Sequence, residues 1–331
     1  MDKRLFGKFY TITNPFDSNV FCKWFESIPG IEDKVILEPF AGKNNIVSMI
    51  NKIGYDNGWK CFDICSCEED NSFPVFPVDQ RDTISDFPQG YDLVITNPPY
   101  LARNSATRRG MGFPETEHDD VYKLCLELML RNCRHVAAII PESFITQGLY
   151  HDRLEIAISL TCKMFDDTDC PVCLALFGDD SSDDFIIYKQ ERKIGKYSKL
   201  KKFLLDDTGN SGIWKFNDPS GSIGIRCIDG TIRDSIEFVR GSSLPSESIK
   251  STSRSSTRVS GLPRGIYIED FLILCNQKLA DYRANTKDVF LTPFKGLRKD
   301  FKYRRRLDYK TARTIMSNAL FEIGGGKECQ E

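Results

Sequence analysis

Tyr91-Asp92-Leu93-Val94-Ile95-Thr96-Asn97-Pro98-Pro99-Tyr100 is an apolar run that stops at an amide, two prolines and an aromatic ring. Leu93, Val94 and Ile95 have the aliphatic, β-branched character of a strand buried on both faces. Pro98 and Pro99 have no N–H to donate, so sheet pairing cannot continue past Asn97. The chain therefore leaves the sheet at the carboxyl end of the strand, where open α/β sheets place their ligands. An amide, backbone carbonyls and an aromatic ring gathered there suit a planar, amino-bearing substrate.

The same strand-then-polar-loop pattern recurs on both sides of this run. Upstream, Val35-Ile36-Leu37 ends at Glu38 and a turn containing Gly42, followed by a helix over roughly 46–53. Lys60-Cys61-Phe62-Asp63-Ile64 ends near a second acid, Asp63, at the spacing where a second parallel strand presents a carboxylate to ribose hydroxyls. Val75 to Val78 leads to Asp79 and Asp82. Downstream come a helix from Val121 with Leu124 and Leu128 in its core stripe, a buried strand Val136–Ile140 closing on Pro141, and a sixth strand Val172–Phe177. Glu142 and Ser143, after the fifth strand, read as a helix cap. Trp24, Trp59 and Trp214 read as core or interface residues. This alternation predicts an α/β fold with a doubly wound, mostly parallel sheet.

The texture changes after Asp184. Phe185–Tyr188 closes the sheet, a basic segment 189–202 follows, and Gly, Ser and Thr become frequent. These shifts predict two domains, 1–190 and 191–331. Within the second, 242–261 is poor in apolar residues and reads as a linker or a loop ordered by a partner. Beyond it lie a helix over 268–283 and the basic stretch Arg298–Arg306, where Phe301 and Tyr303 are interleaved with cations as in phosphate-contacting segments.

The net charge of −2 over 331 residues conceals an acidic cluster at 166–184 and basic segments at 189–202 and 298–313. That asymmetry fits a polyanionic partner on part of the surface, and equally a solvated face. Of the 12 cysteines the tightest clusters are Cys61, Cys65 and Cys67 and the pair Cys170 and Cys173, and the pair sits inside an apolar strand-like run, where alternate side chains face opposite ways and cannot easily chelate one ion. Met1-Asp2-Lys3-Arg4 leads straight into structured-looking sequence, and no apolar run approaches the ~20 residues of a membrane helix. The expectation is a soluble, cytoplasmic protein with reduced thiols, no metal and no membrane partner. With 3 histidines, His118, His135 and His151, a histidine-centred mechanism is poorly provisioned.

These residues resemble the gamma class of adenine-N6 DNA methyltransferases of the type II restriction–modification kind. Asn97-Pro98-Pro99-Tyr100 carries the likeness most specifically, supported by 37–42 and 9–14. The resemblance implies a Rossmann-like class I methyltransferase fold followed by an α+β target-recognition domain. It implies S-adenosylmethionine as cofactor, in a pocket lined by Phe9, Tyr10, Thr11, Glu38, Ala41, Asp63, Asp82 and Asn97. Asp63 would accept from the ribose hydroxyls and Asp82 from the cofactor's adenine, with Asp79 the alternative on spacing. Asn44 stands where the family has a second glycine in the cofactor loop, and asparagine tolerates the left-handed conformation.

The chemistry follows from the residue types. Adenine's exocyclic amine is a poor nucleophile because its lone pair is delocalised into the ring. If the Asn97 side-chain oxygen and the Pro98 carbonyl accept its two N–H groups, the nitrogen moves towards tetrahedral geometry, with its lone pair aimed at the methyl donor. Tyr100 would stack on the flipped base, and Phe165 matches the family's second stacking aromatic. The loop 101–112, with Arg103, Asn104, Arg108 and Arg109, has the composition of a DNA-backbone clamp, and Arg304, Arg305 and Arg306 that of a phosphate-contacting patch. The partner expected is double-stranded DNA, the state monomeric, and the biological role protection against a cognate restriction endonuclease. A glutamine side-chain amide of a protein, RNA, or cytosine's amine could use the same loop. The long basic region after the motif favours DNA.

Overall fold

The computed structural model describes residues 9–65, 76–166, 168–181, 183–206, 210–249, 254–300 and 302–324. The chain divides into two units, Met1–Lys196 and Tyr197–Glu331.

The first unit is built on one sheet. Its elements in order are α1 (Asn19–Glu26), β1 (Ile36–Glu38), α2 (Asn45–Lys52), β2 (Trp59–Asp63), β3 (Val78–Gln80), β4 (Leu93–Thr96), α3 (Arg103–Arg108), α4 (Val121–Asn132), β5 (His135–Pro141), β6 (Leu154–Leu160), β7 (Val172–Phe177), β8 (Ile186–Lys189) and β9 (Arg192–Lys196). The sheet order is β3-β2-β1-β4-β5-β7-β6-β8-β9. β3, β2, β1, β4 and β5 are mutually parallel, whereas β7 runs antiparallel between β5 and β6. Parallel strands covered on both faces need continuous apolar runs, and all four residues of β4 are buried accordingly.

Local rules place the helices. Asp120 caps α4 by accepting from Tyr122 N–H, and burial there pushes its carboxyl up to about 6. The buried residues of α4 are Val121, Cys125 and Met129 with Tyr122, Leu126 and Leu130, two adjacent rows at four-residue spacing. Leu124 and Leu128, the expected core stripe, lie on the neighbouring, half-buried face.

Several further expectations are corrected. β6 lies between the expected fifth and sixth strands, where Leu-Glu-Ile-Ala-Ile-Ser-Leu has apolar residues at every second position. The third strand begins at Val78, and Val75 lies outside the described residues. Glu142 is not a cap: it opens a 3-10 turn, is buried, and accepts a hydrogen bond of 2.6 Å from the Ser159 hydroxyl of β6. The position between residues 190 and 191 falls inside the β8–β9 hairpin, whose second strand completes the sheet edge before the unit ends at Lys196.

The second unit contains α5 (Tyr197–Lys201), β10 (Lys215–Phe216), β11 (Ile223–Arg226), β12 (Glu237–Arg240), β13 (Ser256–Ser260), α6 (Ile268–Thr286), β14 (Thr292–Leu297), β15 (Tyr303–Arg306) and α7 (Tyr309–Ile323). Its four-stranded antiparallel sheet, in the order β10-β13-β11-β12, shares a core with α6 and α7 that includes Trp214, Ile225, Phe238, Phe271 and Ile315. The stretch 242–261 is no simple linker, because β13 is an interior strand that buries Thr257 and Val259. The basic stretch near 300 forms a hairpin, β14–β15, and Phe301 lies outside the described residues. Beneath it, Arg283 makes two hydrogen bonds of 3.0 and 2.9 Å to the buried Asp229 and also pairs with Asp288 and Asp234. Burial raises the Asp229 carboxyl and the Arg283 bonds more than offset it, so it lies below the usual carboxylate range.

Candidate active site

The carboxyl ends of β1, β2 and β4 meet the segment 9–14. That segment runs against 163–165: Thr11 bridges Phe165, Ile12 N–H donates to Met164 O at 3.0 Å, and the Thr13 hydroxyl donates to Lys163 O at 2.6 Å. Asn45, the first residue of α2, donates from Nδ2 to Thr11 O at 2.9 Å. A stretch with little regular structure of its own is thereby held at the ends of the strands.

The loop after β1 is a tight turn with two left-handed residues, Gly42 (φ 53°) and Asn44 (φ 57°). Asn44 therefore adopts the conformation that its side chain was expected to tolerate. A Cβ at Gly42 would stand 2.7 Å from the Tyr10 ring, so glycine is required there for space as well as for backbone angle. Ala41 N–H donates to Phe62 O at 2.8 Å, and Gly42 N–H donates to Asp63 Oδ2 at 3.1 Å. Asp63 Oδ1 accepts from Cys65 N–H at 2.9 Å. The second acid is thus built into the turn that follows the first strand.

Glu38 is buried. Its Oε1 accepts from Phe40 N–H at 3.0 Å and from the Thr96 hydroxyl, while Oε2 has no hydrogen-bond partner among the described residues. Burial pushes the carboxyl up to about 8, against the lowering effect of those two bonds. A buried carboxylate oxygen with no partner is costly unless a donor or cation arrives to use it. Asn44 Oδ1 is a second buried oxygen without a partner among the described residues. Asp82 lies in the turn after β3, exposed, with Oδ1 accepting from Ile84 N–H at 3.1 Å. Asp79 is inside β3 and its carboxylate is paired with Lys60.

Asn97 is held at both ends of its amide. Nδ2 donates to Phe9 O at 2.7 Å and to Thr11 Oγ1 at 3.3 Å, and Oδ1 accepts from the Tyr100 hydroxyl at 2.6 Å. The Tyr100 hydroxyl also lies 2.6 Å from the carbonyl oxygen of Ile139 on β5. Phe9 stands 5.8 Å from both Tyr100 and Phe165, which are themselves edge-on at 6.1 Å. The three rings form one cluster, tied to the amide through the Tyr100 hydroxyl. Tyr100 and Phe165 are both buried, with Phe9 covering them in this conformation.

The remaining expected residues are dispersed. Arg103 donates to Thr116 O and to His118 O (2.7 Å) and lies 4.5 Å from the Phe113 ring, so its guanidinium staples the loop that follows α3. Asn104, Arg108 and Arg109 are exposed, with Arg108 Nε 3.3 Å from Asn104 O. Arg304, Arg305 and Arg306 belong to β15 in the second unit. Arg304 donates to Asp229 O at 2.7 Å and lies over the Phe294 ring, Arg305 is buried, and Arg306 is half-buried. The sequence reading gave no part to Thr96, whose hydroxyl orients Glu38. A hydroxyl as the last residue of an otherwise aliphatic strand was the available signal.

A sheet in which the first seven strands run 3-2-1-4-5-7-6, with the seventh antiparallel, has the topology of the class I methyltransferases. Residues 36–164, less than half of the chain, match the family model described as Eco57I restriction-modification methylase. Over that stretch the chain is similar to the restriction–modification methylases, and the matched segment contains Glu38, Asp63 and Asn97–Tyr100.

No curated protein matches the chain. Among solved structures, a Listeria monocytogenes protein described as a class I S-adenosylmethionine-dependent methyltransferase is 15% identical with a TM-score of 0.40, covering 54% of this chain and 68% of that one. The methyltransferase subunit of a type I restriction–modification system from Streptococcus thermophilus is 15% identical with a TM-score of 0.39, covering 60% and 52%. The M protein of the type I restriction enzyme EcoKI is 12% identical with a TM-score of 0.38, covering 96% and 71%. The chain thus spans about half the length of the Streptococcus subunit.

The residues present fit S-adenosylmethionine, the cofactor of this fold class. The Glu38 oxygen without a partner among the described residues suits a cationic ligand, the glycine turn packs directly against the Tyr10 ring, and Asp63 closes the end of β2 with a carboxylate.

Proposed function

We propose that this protein is a site-specific DNA adenine methyltransferase that methylates the N6 amine of an adenine rotated out of the duplex. The observation that carries the reading is the Asn97 amide, set at the end of the buried central strand, bonded to Tyr100, which packs on Phe165, and one residue after the Thr96 whose hydroxyl holds Glu38. S-adenosylmethionine, when bound, supplies an electrophilic methyl group on a sulfonium. The chain's own residues then have positional tasks. Asn97 Oδ1 and the Pro98 carbonyl accept the amine's N–H groups and localise its lone pair, and the proton lost on N-methylation leaves to solvent. Tyr100 and Phe165 flank the base, a role that requires Phe9 to withdraw from the position it occupies here. No general base is required, because the amine needs orientation and charge stabilisation rather than prior deprotonation. Double-stranded DNA is the proposed partner, engaged by Asn104, Arg108 and Arg109 beside the site and by the second unit as target-recognition domain. Protection against a cognate endonuclease is the proposed role.

The test is to incubate the purified chain with S-adenosylmethionine and DNA lacking adenine methylation, then analyse the nucleosides by mass spectrometry and sequence the modified positions. N6-methyladenine at one recurring sequence is expected. Methylcytosine alone, or methyl groups recovered only on protein, would overturn the reading.

A further inference from the structure

Resting on the reading above, we infer that Thr11 is a positioning residue for the Asn97 amide, its hydroxyl accepting from Nδ2 and holding the amide in the orientation that the Phe9 carbonyl selects. Three observations carry this. Thr11 is buried, and its hydroxyl oxygen lies 3.3 Å from Asn97 Nδ2. Its backbone is fixed on two sides, by Asn45 Nδ2 on Thr11 O and by pairing with Phe165, so the hydroxyl is presented from a rigid support. The second acceptor on the same Nδ2 is the Phe9 carbonyl at 2.7 Å, from the same segment.

The orientation follows from donor and acceptor chemistry. A carbonyl oxygen can only accept, so with the amide reversed the Phe9 carbonyl would face the Asn97 oxygen and both would be left without a proton. The segment therefore directs Nδ2 towards itself and Oδ1 away. Oδ1 meets the Tyr100 hydroxyl, whose oxygen lies 2.6 Å from two acceptors, Asn97 Oδ1 and Ile139 O, and whose one proton can go to only one of them. Donating to Ile139 O leaves Oδ1 with its lone pairs for a substrate amine, while Thr11 still holds Nδ2. Thr11 thus acts through Asn97 and does not itself touch the reacting atoms.

Thr11→Val keeps the shape and removes the hydroxyl, and Thr11→Ser keeps the hydroxyl. In protein labelled with 15N at asparagine side chains, with Asn97→Asp supplying the assignment, Thr11→Val is expected to shift the Asn97 NH2 resonances and Thr11→Ser to restore them. In the methylation assay, Thr11→Val is expected to lower kcat about tenfold, the scale of one lost hydrogen bond, with Thr11→Ser near wild type. Unmoved Asn97 resonances in Thr11→Val, or weakened cofactor binding at unchanged kcat, would overturn the inference. If the wild-type chain methylates no DNA, the proposed function falls, and the resonances alone still decide whether Thr11 holds the amide.

Discussion

The hydroxyl of Thr96, at the end of β4, donates to one carboxylate oxygen of Glu38, at the end of β1, and leaves the other buried without a partner among the described residues. Two adjacent parallel strands thereby aim one acceptor into the site. Thr96→Val removes that bond while keeping the strand's shape. It is expected to weaken S-adenosylmethionine binding about tenfold, read by calorimetry, with little change in thermal stability, since Val is a good strand residue.

Glu38, pushed up to about 8 by burial, is mainly protonated at neutral pH in the free protein. Between the ordinary carboxylate pKa of ~4 and about 8 the folded state holds a proton that the unfolded state has lost, so this group's contribution to stability falls as pH rises through that window. A cationic ligand that uses the carboxylate must expel the proton. Titrations at pH 7 in buffers of different ionisation enthalpy are expected to show close to one proton released per S-adenosylmethionine bound. Glu38→Gln is expected to bind weakly and release none.

Asn97→Ala removes the side-chain acceptor and leaves the strand and both prolines in place. Methyl transfer is expected to fall by at least about a hundredfold, the scale of losing one charge-stabilising group, while affinity for duplex DNA stays near normal. Turnover near the wild-type rate would refute the role given to the amide.

The three arginines of β15 are not equivalent. Charge removal at Arg306, which is half-buried, is expected to weaken duplex binding and to lower the slope of log affinity against log salt by about 1 if it contacts a phosphate. Arg305→Ala, at a buried position, is expected instead to lower the urea midpoint of unfolding, by about 1–3 kcal/mol in stability. Equal salt slopes for Arg306→Gln and wild type would place the phosphate contacts elsewhere.

Arg283→Met tests the support under the hairpin. It leaves Asp229 buried without its bidentate partner, at an expected cost of about 3–5 kcal/mol. The measurement is urea unfolding followed by Trp214 fluorescence, since that tryptophan sits in the core of the same unit.

What the sequence determined by itself was the order of strands and polar strand ends. Continuous aliphatic runs reveal strands buried on both faces, two prolines force an exit at Asn97, and a glycine-bearing turn after Glu38 admits few alternatives. These are local signals, carried by residues within a few positions of one another. Where the signal was mixed it misled: β6 alternates with polar residues, and β13, Ser-Thr-Arg-Val-Ser, is polar at four of its five positions, with only Thr257 and Val259 buried. Tertiary structure alone decided which partners those side chains found. Thr11 reaches Asn97 across 86 positions and Thr96 reaches Glu38 across 58, Arg103 holds the carbonyls of Thr116 and His118, and Arg305 is buried. A hydrogen bond requires two groups within about 3 Å, and only the folded backbone determines which distant groups meet at that distance.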